Sequence, residues 1–434
     1  MVSFVANLIL VLTQGSMIWK ICGRIGGCQV VDQRRIYLDN AADTALNPEV
    51  RLEMEPYLLE FEGNASSVHH FGRMARRAVD QARRELALLI GANESSVFFT
   101  SGGTESNHAL LFGAYLARSD EGFAQSPSQG GESANPLGHP KRRHIVATAV
   151  EHPCVLETCS WLEKLGATVT LVPPDFEGRV KVESVLDAIR DDTAIVAMMA
   201  VNNEIGTILP VMETAASVKR EFPGVHVHSD MVQALGVIQM RLKDSALDSA
   251  AFSAHKIHGP QGVGAAYLRE DALWVPVLPG GAQERGKRAG TENVAGIVGF
   301  GSAARRLRMG FEERKEHLRT LRDRLWRHLS AIDGVHRNTP MSEAADSILN
   351  VSFRGFKSHQ LLARLDLEGV AASAGAACSA GSLTPSHVLI ACGRTVEEAQ
   401  QSIRLSVGEQ NTAEEIDEAA RIILAVMSTL RKGA

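Results

Sequence analysis

Three segments of the chain place reactive or anion-binding residues directly after short apolar runs. Residues 100–107 (Thr-Ser-Gly-Gly-Thr-Glu-Ser-Asn) follow Val97–Phe99, and their glycines let the backbone approach an anion at the start of a helix. Asp230 ends the run 225–229, where a carboxylate either caps a helix or holds a heterocyclic nitrogen protonated. Lys256 follows small and apolar residues, and burial would lower its pKa enough to favour Schiff-base formation.

Each of these segments alone has an ordinary structural explanation: a strand-to-helix turn, a helix cap, and a surface lysine. Residues 100–107 lack the glycine spacing and the lysine of a P-loop, and they lack the dinucleotide-binding pattern. A phosphate cradle, an acid and a lysine at separate strand ends together suit pyridoxal 5′-phosphate, a phosphorylated pyridine aldehyde. Arg404 is then a candidate for binding a substrate carboxylate through both oxygens, with a surface ion pair as the alternative.

Cys378 lies among glycines, alanines and serines in residues 374–385, where no apolar periodicity predicts burial. We therefore expect a mobile, exposed loop whose thiolate could act as a nucleophile; a small residue in a tight turn is the alternative. Cys392 lies in an apolar setting that predicts core packing. The spacing of the six cysteines fits neither a disulfide scaffold nor structural zinc. A reducing compartment, and hence a cytoplasmic location, is expected.

The composition is that of an ordinary folded protein. The 434 residues are 45% hydrophobic and 22% charged. The net charge of −5, from 45 basic and 50 acidic residues, disfavours a general nucleic-acid binder. No run approaches the roughly 20 apolar residues of a membrane-spanning helix. We thus expect a small-molecule or protein partner, and neither nucleic acid nor membrane.

Strand-like and helical runs alternate between residues 95 and 269, which predicts an α/β fold with a mostly parallel sheet in a large domain. A ligand would bind at the carboxyl ends of its strands. Residues 35–304 are expected to form this domain, with 119–140 as a mobile insertion rich in Ser, Gly, Pro and Gln. Residues 1–34 are expected to lie outside the fold.

A smaller α+β domain is expected over residues 305–434. Residues 303–329 have the pattern of one long helix, and a strand and a helix follow at 347–353 and after Ser358. Thr412 and Glu415 form a capping box for a final helix.

Two groups of charged or titratable residues are interpreted as having no binding role. Five arginines of the helix near residues 73–90 are expected to form a solvated face: Arg73, Arg76, Arg77, Arg83 and Arg84. The histidines show no metal-binding spacing, so no metal is expected. His226 and His228 alternate with apolar residues and could simply face solvent.

Taken together, these motifs resemble those of the cysteine desulfurases, pyridoxal-phosphate enzymes of the class V aminotransferase group with the type I fold. The similarity runs from about Ile36 to Leu430. Besides the segments above, it rests on Tyr37-Leu-Asp-Asn-Ala-Ala, Val150-Glu-His, Asn202-Asn-Glu-Ile-Gly, Arg288-Ala-Gly-Thr-Glu-Asn and Arg404-Leu-Ser-Val-Gly.

The resemblance implies a role for each matching residue. Lys256 would hold the cofactor and shuttle protons, Asp230 would pair with the pyridine nitrogen, and His152 would stack on the ring. Asn203 and Gln233 would bond the phenolic oxygen. Arg404 would bind the carboxylate of L-cysteine, and Asn203 would also take part in substrate binding. The phosphate would be bound by Gly103, Thr104, Ser253 and His255, with Thr291 reaching across from the second subunit of a homodimer.

The resemblance also implies that Cys378 takes the sulfur of L-cysteine as a persulfide and releases L-alanine. Six residues separate Cys378 from Pro385, as in the long-loop subgroup, which favours transfer to an acceptor protein for iron-sulfur clusters or tRNA thiolation. The sequence departs from the family pattern at positions without a named role: Asp43, Ala65, Met231, Ala254 and Ala282. A selenocysteine lyase and a catalytically silent scaffold subunit remain as alternatives.

Overall fold

The computed structural model describes residues 8–13, 16–21, 35–59, 62–118, 142–375 and 384–432. The first described residues form an antiparallel hairpin of β1 (Leu8–Thr13) and β2 (Ser16–Ile21), in which Leu8 lies opposite Ile21. This hairpin is a sheet of its own, and β3 (Ile36–Tyr37) follows it. The predicted insertion 119–140 and the segment around Cys378 lie outside the described residues.

A seven-stranded sheet forms the centre of the larger part of the fold. Its strands are β4 (Val97–Thr100), β5 (His144–Thr148), β6 (Thr168–Val172), β7 (Thr193–Ala197), β8 (His226–Asp230), β9 (Ser249–Ser253) and β10 (Gly264–Leu268). Their spatial order is β4-β10-β9-β8-β7-β5-β6, and β10 alone runs antiparallel to its neighbours. The carboxyl ends of the other six strands therefore meet at one edge, which confirms the predicted mostly parallel α/β sheet.

Helices cover this sheet on both faces. They are α1 (Pro48–Leu59), α2 (His70–Ile90), α3 (Gly103–Leu116), α4 (Pro153–Lys164), α5 (Val182–Asp187), α6 (Val211–Glu221) and α7 (Val294–Met309). The apolar stripe of α2, including Val79, Leu86 and Ile90, is buried. Helix α7 packs closely on it, since a Cβ at Gly301 would lie 2.5 Å from the Cα of Ala82.

The connection between α3 and β5 contains the gap from 119 to 141. At its two ends the backbone N–H of Arg142 donates to the carbonyl oxygen of Arg118 over 3.3 Å. These ends lie away from the carboxyl edge of the sheet, because α3 begins at that edge and β5 runs toward it.

The smaller part of the fold combines α8 (Phe311–Leu329), β11 (Val335–Arg337), β12 (Ile348–Phe353), α9 (Ser358–Leu367), β13 (Val370–Ala371), α10 (His387–Ala391), α11 (Val396–Gln400), β14 (Ser402–Ser406) and α12 (Ala413–Lys432). Strands β11, β12 and β14 form an antiparallel sheet. Strand β3 pairs with β13, so Ile36 and Leu38 join this core although they lie early in the chain. The predicted capping box is present, with the Glu415 N–H 3.2 Å from the Thr412 Oγ1 and the Thr412 N–H 3.3 Å from the Glu415 carboxylate.

The expectation of one long helix over 303–329 is wrong. The chain forms α7 and α8 with a break at Gly310, whose φ of −110° is not helical. Glycine makes continuation of a helix unfavourable, and the two helices have different partners: α7 packs on α1 and α2, whereas α8 packs on α12.

Two expectations about exposure are also wrong. Arg83 is buried, because its guanidinium forms a two-bond ion pair with the buried carboxylate of Glu284 at 2.6 and 3.0 Å. His226 and His228 are fully buried, because β8 lies between β7 and β9 and is covered on both faces. Cys392 is buried, as expected. In the part of the chain that the structure describes, no helix has the length and apolar character needed to cross a membrane.

Candidate functional site

A pocket of about 180 Å³ opens at the carboxyl edge of the central sheet. Strand ends, the start of α3 and one residue of β14 contribute its wall. It is lined by Ala41, Ala42, Gly103, Thr104, Asn107, His152, Cys154, Met199, Asn203, Asp230, Val232, Gln233, Ser253, His255, Lys256 and Arg404.

Lys256 enters the pocket from a short 3₁₀ turn, Ala254–Lys256, directly after β9. Its Nζ donates to the carbonyl oxygens of Ala41 and Ala42 over 2.5 and 2.7 Å. Burial lowers the pKa of Lys256 to about 8, and the nearby charge of Arg404 acts in the same direction. An appreciable fraction of this lysine is therefore a neutral, nucleophilic amine near neutral pH.

Asp230 is the last residue of β8 and is almost fully buried. Its Oδ2 accepts a hydrogen bond from Asn107 Nδ2 at 2.8 Å, and its Oδ1 accepts the backbone N–H of Val232 at 2.9 Å. Burial raises the pKa of Asp230, whereas His152, these two donors and Lys256 act in the opposite direction. The carboxylate is thus placed to hold a cationic ring nitrogen.

His152 caps the N-terminus of α4, and its Nδ1 accepts the backbone N–H of Cys154 at 3.2 Å. This bond leaves Nε2 as the protonated nitrogen of the neutral ring. Burial lowers the pKa of His152, which favours that neutral form. One donor atom from each of His152, Cys154 and Asp230 lies within 4.8 Å of the others, a grouping that a metal could use; the expected absence of a metal stays a prediction.

The start of α3 offers an anion-binding cradle. Gly102 precedes it with no side-chain cap, so no side chain of that residue occupies the first free N–H groups. A Cβ at Gly103 would lie 2.6 Å from Cγ2 of Val232, which explains glycine at this close approach. Thr104, Ser253 and His255 also line the pocket.

His255 is fixed by a residue that departs from the family pattern. Its Nδ1 lies 2.9 Å from Oδ1 of Asp43. Burial and the neighbouring Lys256 lower the pKa of His255, whereas Asp43 raises it. Asp43 therefore orients the imidazole without occupying its Nε2.

Arg404 projects from β14 and is 1% exposed. Its Nη2 donates to Oδ1 of Asp39 over 2.7 Å, and its Nη1 donates to the carbonyl oxygen of Asn203 over 2.8 Å. The alternative of a surface ion pair is wrong, because Arg404 is buried and Asp39 is largely shielded. Arg404 Nε is buried and has no hydrogen-bond partner among the described residues.

The pocket residues fit pyridoxal 5′-phosphate. The open helix start suits its phosphate, Asp230 suits its ring nitrogen, and the lysine suits its aldehyde. Gln233 Oε1 is buried with no hydrogen-bond partner among the described residues, which is consistent with a ligand group beside it.

Two of the candidate residues are not among those that line the pocket, for different reasons. Cys378 lies outside the described residues. Thr291 is exposed and does not line the pocket.

Sequence reasoning missed four residues that support the site: Asn107, Asp39, Asp43 and Cys154. Asp39 lies in the segment that begins at Tyr37, and Asn107 ends residues 100–107. Their position in these family motifs is the only feature of the sequence that points to a role in the site. Arg404 and Asp39 are separated by 365 positions, so their pairing could not be inferred from spacing.

The aminotransferase class-V family model matches residues 36–122 and 132–419, which is most of the chain. The chain belongs to the class-V aminotransferase family. Among curated members of this family, cysteine desulfurase IscS of Dictyoglomus turgidum is 40% identical over 400 residues, 92% of this chain and 96% of that protein. IscS of Methanosarcina thermophila is 38% identical over 92% of this chain and 94% of its own.

Solved structures agree with this class-V assignment. One described as a NifS-like protein is 35% identical with a TM-score of 0.82, covering 91% of this chain and 100% of that one. Another, described as SspA in complex with cysteine, is 29% identical with a TM-score of 0.72 over 86% of this chain and 98% of its own. The type I fold of this family is thus the fold of the chain.

Proposed function

We propose that this protein is a pyridoxal-phosphate-dependent cysteine desulfurase. One observation carries the proposal: four features meet in a single pocket. They are Lys256 with its lowered pKa, the carboxylate of Asp230, the uncapped start of α3 and the buried Arg404. The curated relatives named cysteine desulfurases support the substrate, L-cysteine.

Eight pocket residues are assigned to binding the cofactor. Gly103, Thr104, Ser253 and His255 hold the phosphate, with Thr291 of a second subunit of the homodimer. Asn203 and Gln233 hold the phenolic oxygen. His152 covers the ring face, and Asp230 keeps the pyridine nitrogen protonated.

When bound, the cofactor would supply an electron sink that lets the Cα proton of the substrate leave. Lys256 carries the cofactor and then, as a neutral amine, takes and returns the Cα proton. Arg404 binds the substrate carboxylate through its free donors and thereby orients the Cα–H bond.

Cys378 receives the sulfur. Its thiolate attacks the sulfur of L-cysteine, an S–S bond forms and the Cβ–S bond breaks. The electron pair left on carbon takes up a proton, so that L-cysteine and the Cys378 thiol give L-alanine and a Cys378 persulfide. A sulfur-acceptor or iron-sulfur scaffold protein, or a tRNA-thiolation route, in the cytoplasm is the proposed destination.

A single set of assays tests the proposal. Purified protein is supplied with pyridoxal 5′-phosphate and a thiol reductant, which reduces the Cys378 persulfide and releases its outer sulfur as sulfide. Sulfide and alanine are measured from L-cysteine, with L-selenocysteine in parallel. Cys378→Ala should lose sulfide release and keep the bound-cofactor spectrum, and Cys392→Ala, at a buried core cysteine, is the matched control. Retained desulfuration by Cys378→Ala would reject the persulfide step.

The alternatives have their own outcomes in these assays. Selenocysteine cleavage that survives in Cys378→Ala while desulfuration is lost would favour a selenocysteine lyase. A protein that takes up no cofactor would be a silent scaffold subunit and would overturn the proposal.

A further inference from the structure

A line of buried polar side chains runs from the pocket into the middle of the sheet. Asn107 Nδ2 lies 2.8 Å from Asp230 Oδ2, and Asn107 Oδ1 lies 2.8 Å from His228 Nε2. His228 Nδ1 is 2.9 Å from Ser249 Oγ, which is 2.7 Å from His226 Nε2. All five residues are buried, and of these five only Asp230 and Asn107 line the pocket.

The donors and acceptors in this line can be assigned by elimination. The Asn107 amide must turn its nitrogen toward the acceptors Asp230 Oδ2 and Cys154 Sγ, the latter at 3.3 Å, so its oxygen faces His228. An amide oxygen only accepts, so His228 carries its proton on Nε2 and accepts at Nδ1. Ser249 then donates to His228 and accepts from His226.

Every hydrogen bond in the line therefore points the same way, from His226 through Ser249, His228 and Asn107 to Asp230. Hydrogen bonds that follow one another in this sense polarise each other and place positive charge at the accepting end. Burial lowers the pKa of His228 to about 3 and that of His226 well below its usual value, so both rings are neutral. The line thus adds oriented dipoles beside Asp230 without adding a net charge.

We propose that Asn107, His228 and Ser249 are positioning residues that keep Asp230 an oriented carboxylate facing the cofactor's ring nitrogen. The inference rests on the proposed function, since it assigns these residues to the same cofactor. Burial alone raises the pKa of Asp230 and would favour a neutral acid, which binds a pyridinium weakly. The line of donors opposes that effect through the hydrogen bond that Asn107 donates to Oδ2 of Asp230.

The test uses the loaded enzyme and a readout other than turnover. Pyridoxal 5′-phosphate labelled with ¹⁵N in the ring reports by NMR whether its nitrogen is protonated. We expect a protonated nitrogen in the unaltered protein at pH 8. In His228→Leu, which can neither donate nor accept, the apparent pKa of the ring nitrogen should fall by about one unit, a tenfold loss of proton affinity. His228→Gln should restore it, because an amide donates to Asn107 and accepts from Ser249.

His144→Leu is the matched control. His144 is buried in β5, and its two ring nitrogens lie 2.8 Å from Thr193 and Thr170 hydroxyls, away from Asp230. This variant should lose stability and leave the ¹⁵N signal unchanged. Should His228→Leu fail to fold, Ser249→Ala removes the two hydrogen bonds that Ser249 makes in the line, to His228 and to His226, and should shift the signal in the same direction.

The outcomes separate this inference from the proposed function. An unchanged ¹⁵N signal in folded, loaded His228→Leu, or in Ser249→Ala where the former does not fold, overturns the inference alone. An equal shift in His144→Leu also overturns it. Failure of the unaltered protein to bind the cofactor overturns the proposed function and the inference with it.

Discussion

Burial in the pocket changes the chemical properties of individual side chains, and Lys256 is the clearest example. Lys256 is an ordinary lysine by sequence, yet two carbonyl oxygens, from Ala41 and Ala42, hold its amine in a site that lowers its pKa to about 8. Burial disfavours the charged form of a lysine, so the neutral form appears at lower pH than in solution.

This shift predicts how cofactor uptake depends on pH. The rate constant for covalent attachment of pyridoxal 5′-phosphate to the cofactor-free protein should rise about tenfold per pH unit up to about pH 8 and then level off. Stopped-flow absorbance measures this rate, and Lys256→Ala should give no such signal. A rate that keeps rising to pH 10, as for a solvent-exposed lysine, would contradict the assignment.

We expect Arg404 to bind the substrate carboxylate through the planar geometry of its guanidinium as well as through its positive charge. Arg404→Lys keeps the positive charge but loses the planar fork, so we expect KM for L-cysteine to rise about tenfold or more with a smaller change in kcat. Steady-state alanine formation gives both constants. Arg319→Lys, at a partly exposed ion pair with Asp346, is the control and should leave KM unchanged. An unchanged KM in Arg404→Lys would remove Arg404 from substrate binding.

At the scale of helices and strands, the sequence predicted the α/β alternation, the strand ends that carry Asp230 and Lys256, and the capped final helix. The sequence could not predict which strands are buried on both faces of the sheet. The alternation of His226 and His228 with valines is also the pattern of a half-exposed strand, and only the position of β8 between two neighbours decides otherwise. Arg83 was misjudged for the same reason, since its partner Glu284 lies 201 positions away. The assigned roles of the pocket residues stay predictions.

The Arg83–Glu284 pair joins three elements. Glu284 accepts from Arg83 of α2 and from the backbone N–H of Phe99 in β4, at 2.9 Å. It does so in a left-handed conformation, with φ of 46°, followed by Arg285 with φ of 58°. Such backbone conformations are unfavourable for residues with side chains. The ion pair therefore offsets the conformational cost of the positive φ angles in this loop.

Removing one charge of this pair should therefore be costly. Glu284→Gln leaves Arg83 buried and unpaired, and we expect the free energy of unfolding to fall by about 3 kcal/mol. Glu94→Gln breaks the exposed pair between Arg84 and Glu94 and should cost under about 1 kcal/mol. Urea denaturation of both variants measures the difference. Equal losses would show that burial of the first pair adds nothing.

At the scale of the whole molecule, the proposed function assigns part of the site to a second copy of the chain. Thr291 is exposed and outside the pocket of its own chain, although the resemblance assigns it to the cofactor phosphate. Mixed dimers test this. Subunits carrying Lys256→Ala, mixed with subunits carrying Thr291→Asp, should regain activity, because one of the two sites then has both intact residues.

The control places both substitutions on one chain and mixes it with unaltered chain. Each site of that mixed dimer then has one defect, so it should be inactive. Sulfide release from purified mixed dimers distinguishes the two arrangements. Activity in this control alone would place Thr291 in its own subunit's site, and equal activity in both arrangements would place it in neither site.

The hydrogen bond between Arg142 and Arg118 also has a use in protein engineering. Arg118 and Arg142 lie side by side where the described chain stops before the gap and resumes after it. Helix α3, with 14 residues, spans about 20 Å between these two residues and the pocket. A reporter domain whose own termini lie close together should therefore be accepted between these two residues. Its bulk would lie on the far side of the sheet from the substrate, which makes the position suitable for following the enzyme by fluorescence during turnover.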